Sequence, residues 1–133
     1  MIKSILKWFE KYSIISLIIV VLIGIFIFYI SAQTFEKGSP GPEFSLKPFL
    51  YHFGIFLLLA LFLAIAIIKG KRINKDLLLL TLLIVMGYAI TDELHQLFVP
   101  NRACDLGDFL TDVSGAAIGS IFYYSMLMMR RER

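Results

Sequence analysis

Four stretches of apolar side chains, each about as long as a helix must be to cross a bilayer, decide what this chain can become. They cover residues 12–30, 48–68, 77–98 and 109–129. At about 1.5 Å per residue, a helix of about 20 residues spans the ~30 Å of hydrocarbon. Inside lipid every backbone N–H and C=O must find its partner within the segment, which a helix achieves and an open strand does not. The expectation is an all-α, multi-pass protein of the cell membrane, a four-helix transmembrane bundle filling residues 1–133 as one domain. Composition agrees, with 59% of residues hydrophobic and 17% charged, against about 45–50% and about 25% in soluble domains. The first run follows lysines, as a secretory leader does. It exceeds the ~7–15 apolar residues of a leader, and Ile30 suits a small-residue cleavage site poorly, so it reads as a retained span. Pro40, Gly41, Pro42 and Pro48 mark the one loop rich in breakers.

Orientation follows from the 13 lysines and arginines. Lys3, Lys7, Lys11, Lys69, Lys71, Arg72, Lys75, Arg130, Arg131 and Arg133 fall on one side of the bundle, and only Lys37, Lys47 and Arg102 on the other. The acids run the opposite way, with Glu36, Glu43, Asp92, Glu93, Asp105, Asp108 and Asp112 together. Basic loops stay in the cytoplasm, so both termini are expected inside and residues 91–112 outside. The basic residues flank apolar segments and form no stripe that would track a nucleic acid; their expected partner is the lipid bilayer. Cys104 is the single cysteine, so no intrachain disulfide forms, and no base stands in sequence to activate it.

The stretch "TDELHQLFVPNRACDLGDFLTD", residues 91–112, gathers ionisable groups at the outer ends of two spans. Asp92 lies roughly 22 Å above Leu77 at the helical rise, His52 about one turn inside its span, and Asp112 about one turn below Asp108. Ionisable groups at that depth face the bundle or a wet cavity, because lipid costs them several kcal/mol. With Gly87 at zero and ~100° per residue, Thr91, His95, Tyr88, Asp92 and Gln96 occupy an arc from about 40° to about 180°, and Glu93 falls near 240°, off it. On the last run Asp108, Asp112, Gly115 and Gly119 share helical spacing, and the two glycines form a ridge for close helix approach. A small outward pocket walled by the second, third and fourth spans is the expected result.

These residues resemble the VanZ-like family of small integral membrane proteins. "SAQTF" after the first span, "YHFGIF" in the second and "DELHQLFVPNRACDLGDFLTDVSGAAIG" across the last two carry the likeness, which covers nearly the whole chain. It marks Ser31, Gln33, His52, Asp92, Glu93, His95, Gln96, Pro100, Arg102, Asp108, Asp112 and Gly115. Two departures lie in the outer loop: Asn101 where the family commonly has glycine, and Cys104-Asp105 in place of a small polar pair. The family's founding member is associated with resistance to teicoplanin, which implies a cell-envelope role.

Three functions compete on this reading. The first is a binder of a lipid-linked, envelope or amphiphilic ligand at the outer leaflet, with Ser31, Gln33, Glu93, Gln96, Arg102 and Asp108 as contacts and the Arg102 guanidinium suited to a phosphate or carboxylate. The second is an intramembrane enzyme using Asp92, His95, Asp112 or His52 as acid and base on that ligand. The third, a small transporter or a purely structural protein, is weakened as transport by charges confined to one level. The zinc-protease pattern H-E-x-x-H is excluded, because Asp92 and Gln96 stand where its histidines belong. A divalent cation on Asp92, His95, Asp108 or Asp112 suits the ligand chemistry but is not indicated by spacing. Asp92, Asp112, His95 and Arg102 are expected to form one coupled network whose function depends on pH in the histidine range.

Overall fold

The computed structural model describes residues 2–34, 46–70, 75–102 and 104–131. Pro40, Gly41 and Pro42 of the breaker-rich loop fall outside them, as do Glu36, Lys37, Glu43, Lys71, Arg72, Glu132 and Arg133, whereas Pro48 is described. Among the described residues the chain forms five helices: α1 (Ile2–Lys11), α2 (Ser13–Ser31), α3 (Leu46–Ile68), α4 (Lys75–Gln96) and α5 (Leu106–Arg131).

Three of them, α2, α3 and α4, are long and apolar enough to cross a membrane, not the expected four. The run at residues 109–129 does form a helix, but α5 dilutes its apolar residues with Asp108, Thr111, Asp112, Ser114, Gly115, Gly119 and Ser120. The most telling of these turn inward: Asp112 and Ser120 are fully buried. Facing the neighbouring helices, these polar groups lower the mean hydropathy of α5 without lying on its outer surface. α1 is a second departure. Its lysines were read only as a basic flank, yet Leu6 and Phe9 pack on the bundle while Ile5, Trp8 and Tyr12 stay exposed.

α3 is the axis. Phe56, Leu59, Ala60 and Leu63 meet Ile27 of α2, Val85 and Ala89 of α4 and Ala116 of α5 in one core. Further along, Ala64, Ile65 and Ile68 meet Leu6 of α1 and Tyr123, Met126 and Leu127 of α5 in a second. α5 runs parallel to α3 along its length, with Gly115 over the Phe53 carbonyl and Gly119 over the Leu57 carbonyl. A Cβ at either glycine would strike backbone, so the close approach requires both. α2, by contrast, leaves Ile14, Leu17, Ile18, Val21, Leu22, Ile25, Phe26 and Phe28 exposed. Water-soluble proteins do not carry apolar surface of that extent; lipid covers it.

At the α1 end, a polar knot ties three helices. The Gly70 N–H donates to the Tyr123 hydroxyl (3.1 Å), which donates to Glu10 Oε1 (2.9 Å), and Arg130 Nη1 reaches both Glu10 oxygens at 2.8 Å. Gly70 ends α3 with φ of 64°, and a Cβ there would strike the Glu10 carboxylate. This knot fixes the register of α1, α3 and α5 at one end and leaves the opposite end for the acids and histidines.

Candidate functional site

Each functional side chain at the far end sits where an apolar helix finishes or begins. Ser31 is the last residue of α2, His52 lies on the second turn of α3, Asp92, Glu93 and Gln96 close α4, and Asp108 and Asp112 open α5. Helix ends meet here because α2 and α4 arrive at this level as α3 and α5 leave it. Two hydrogen-bonded groups result. In the first, the Ser31 hydroxyl donates to Asp92 Oδ1 (2.7 Å), and Gln96 Nε2 donates to Ser31 Oγ (3.1 Å) and Asp92 Oδ2 (3.2 Å). In the second, His52 Nδ1–H donates to Asp112 Oδ1 (2.8 Å), with Asp108 Oδ2 3.8 Å from His52 Nε2. Ser31, His52, Asp92, Gln96 and Asp112 are all buried, and Asp108 is half-buried.

The two groups converge. One carboxylate oxygen from each of Asp92, Glu93 and Asp112 lies within 4.8 Å of the others. Glu93, off the polar arc of the helical wheel, is therefore inside the cluster, 3% exposed, with its Oε2 accepting from the Asp105 N–H (2.8 Å). His95, on the arc, is outside it. Its ring stacks on Phe28 of α2 with centroids 4.4 Å apart, and it does not bond the acids. The histidine held by the carboxylates is His52. Among the described residues the candidate metal ligands that come together are Asp92 and Asp112, joined by Glu93 rather than by His95 or Asp108.

A cavity of about 490 Å³ opens beside this cluster, with Ile30, Pro48 and Tyr51 as walls and Ser31, His52 and Gln96 as a polar floor. Lys47 and Arg102 bring positive charge to it. Arg102 also closes α2: its Nε donates to the Gln33 carbonyl (3.2 Å) and its Nη2 to the Ile30 carbonyl (3.0 Å). A guanidinium on the last carbonyls of a helix complements its dipole. Gln33 itself turns back to Tyr29, its Nε2 donating to that carbonyl at 3.0 Å. Sequence reasoning missed Lys47 and Tyr51 as cavity residues. The Tyr51 hydroxyl is buried and has no partner among the described residues.

The loop between α4 and α5 carries two departures from the family pattern. Asn101 has φ of 64°, a left-handed conformation that asparagine and glycine adopt at least cost, so its replacement of glycine preserves the turn. Cys104 is exposed, and partial desolvation followed by the Glu93 carboxylate beside it holds its thiol above the ordinary range. That is the opposite of an activated nucleophile.

Fold and site together define a small all-helical membrane protein with a buried acid–histidine cluster beneath a lined cavity at one end. The chain belongs to the VanZ/LLP1 family, whose family model matches residues 10–129. No curated protein and no solved structure matches it.

Proposed function

We propose that this membrane protein of the VanZ type binds an anionic amphiphile, a lipid-linked or cell-envelope molecule, in the cavity beside Ser31, His52 and Gln96. α5 is inferred to cross the bilayer alongside α3, with both termini cytoplasmic and the cavity at the outer leaflet. The basic asymmetry supports that orientation. One observation carries the ligand reading: an apolar-walled cavity combines two cations, Lys47 and Arg102, with the unpartnered Tyr51 hydroxyl. Such a cavity suits a ligand with an apolar body and an oxygen-rich, negatively charged group. Through an envelope ligand, lowered sensitivity to teicoplanin-type antibiotics would follow.

Native mass spectrometry of the protein extracted from its own membrane, together with thiol labelling of intact cells, tests this. An impermeant maleimide is expected to reach Cys104 without permeabilisation. An adduct heavier than a bulk phospholipid is expected on the wild type and lost when Lys47→Gln and Arg102→Gln are combined. Cys104 reacting only after permeabilisation, or a bare protein in the spectrum, contradicts the reading. A second function is favoured by one contact: the His52 ring on the cavity floor is oriented by Asp112, as a general base is by its carboxylate. If His52 processes the ligand, His52→Gln retains a heavier, intact adduct than the wild type; identical adducts leave a binder.

A further inference from the structure

Three carboxylates at the end of the bundle are drawn together more closely than their hydrogen bonds explain. Asp92, Glu93 and Asp112 are 5%, 3% and 0% exposed, and each contributes an oxygen to a group within 4.8 Å. Each carboxylate is gripped by donors from a different direction: Asp92 by Ser31 and Gln96, Glu93 by the Asp105 N–H and the Cys104 thiol, Asp112 by His52. Two oxygens are then left over. Glu93 Oε1 and Asp112 Oδ2 are buried and have no hydrogen-bond donor among the described residues. Burying a carboxylate oxygen without a donor or a cation is costly, and here the cost is incurred twice in one cluster.

We infer that Asp92, Glu93 and Asp112 form a binding site for a single hard divalent cation of the Mg²⁺, Mn²⁺ or Ca²⁺ class. The donors are all oxygen, which selects this class over thiolate- and imidazole-seeking metals. Metal–oxygen bonds of about 2.0–2.6 Å place ligand oxygens within about 5 Å of one another, and the observed spacing fits that limit. A second recess of about 440 Å³, on the side of Glu93, Cys104 and Asp105, gives an ion a route in and room for its remaining waters. His52 acts here as a positioning residue, holding one Asp112 oxygen so that the other is presented. Ser31 and Gln96 do the same for Asp92 from the cavity floor. The cation thus lies behind the floor of the ligand cavity and offsets the acids that would repel an anionic group. That coupling rests on the proposed ligand; the cation site does not.

The test is a Mn²⁺ titration of the full chain in nanodiscs after chelator treatment, read by the electron paramagnetic resonance of free Mn²⁺ and by the melting temperature. The wild type is expected to take up one Mn²⁺ per chain, displaced by Mg²⁺ or Ca²⁺, with a rise in melting temperature. Glu93→Gln and Asp112→Asn should abolish uptake, and His52→Gln should weaken it about 10–100-fold. Asp76→Asn, at the opposite end of α4, should leave it unchanged. A wild type that binds no Mn²⁺ at concentrations on the order of 1 mM overturns the site, and protons shared among the carboxyls then do the neutralising. Uptake that survives Glu93→Gln and Asp112→Asn overturns it equally. Should those variants misfold, the wild-type titration alone decides. Stoichiometric Mn²⁺ on a protein that carries no amphiphile upholds this site and overturns only the ligand reading.

Discussion

Gly115→Leu is expected to pull α5 off α3 and abolish the cooperative melting of the bundle. The Phe53 carbonyl oxygen and the Leu57 amide nitrogen occupy the space that even a Cβ would need. Overpacking a core costs about 1–3 kcal/mol when side chains can give way. Here the obstacle is the backbone of the central helix, which cannot rotate aside, so the cost exceeds that range for leucine. Gly115→Ala should already reach the upper end of it, since its Cβ would meet the Phe53 carbonyl oxygen and the two helices must move apart. Without α5 the bundle loses Asp108 and Asp112, and His52 loses its partner. Thermal unfolding in detergent, followed by circular dichroism and by protease sensitivity of the loop between α4 and α5, reads the effect. A leucine variant that melts as the wild type does would mean that α3 and α5 do not approach along this ridge.

Asp112→Ala is expected to destabilise the protein by about 3–5 kcal/mol, the range for removing one partner of a buried pair. The His52 Nδ1–H, buried against a fully buried carboxylate, would lose its acceptor. Asp112→Asn keeps an acceptor oxygen in place and should recover most of that stability while losing the charge. Replacing both members, with His52→Leu and Asp112→Leu together, should also be far milder than the alanine change, because no orphan remains. Denaturant melts of the three variants separate these outcomes. Equal stability of Asp112→Ala and the wild type would show that the pair contributes nothing to the fold.

The meeting of His52, Asp92 and Asp112 was legible because ionisable residues interrupt the apolar runs near one end of the bundle, and a polar residue in a span must face protein. The glycine ridge was legible for the same reason: Gly115 and Gly119 repeat at the helical period beside Asp112. The division of labour between Glu93 and His95 was not. A helical wheel reports where Cβ points, and the long Glu93 side chain bends from its own face towards α5, where Asp105 and Asp112 wait. His95 is drawn the other way by Phe28, an aromatic ring in a helix with no polar mark to advertise it. α1 had a readable signal that went unused, since Leu6 and Phe9 alternate with Lys3, Lys7 and Glu10 at helical spacing. The expectation of a fourth apolar span failed because α5 carries polar groups along its length: Asp112 meets His52 of α3, while Thr111 and Ser114 bond carbonyls one turn back in α5 itself.

The central claim is that the buried cluster serves a ligand rather than only the register of four helices. Asp92→Asn tests it most directly, because it preserves volume, deletes the charge and keeps one oxygen to accept from Ser31 or from Gln96. The measurement is ligand occupancy by native mass spectrometry alongside the melting temperature of the same sample. With divalent cations chelated from both samples, the amphiphile is expected to be lost from the variant while its melting temperature stays close to that of the wild type. Full occupancy on a protein that merely melts earlier would contradict it and make the cluster a structural knot.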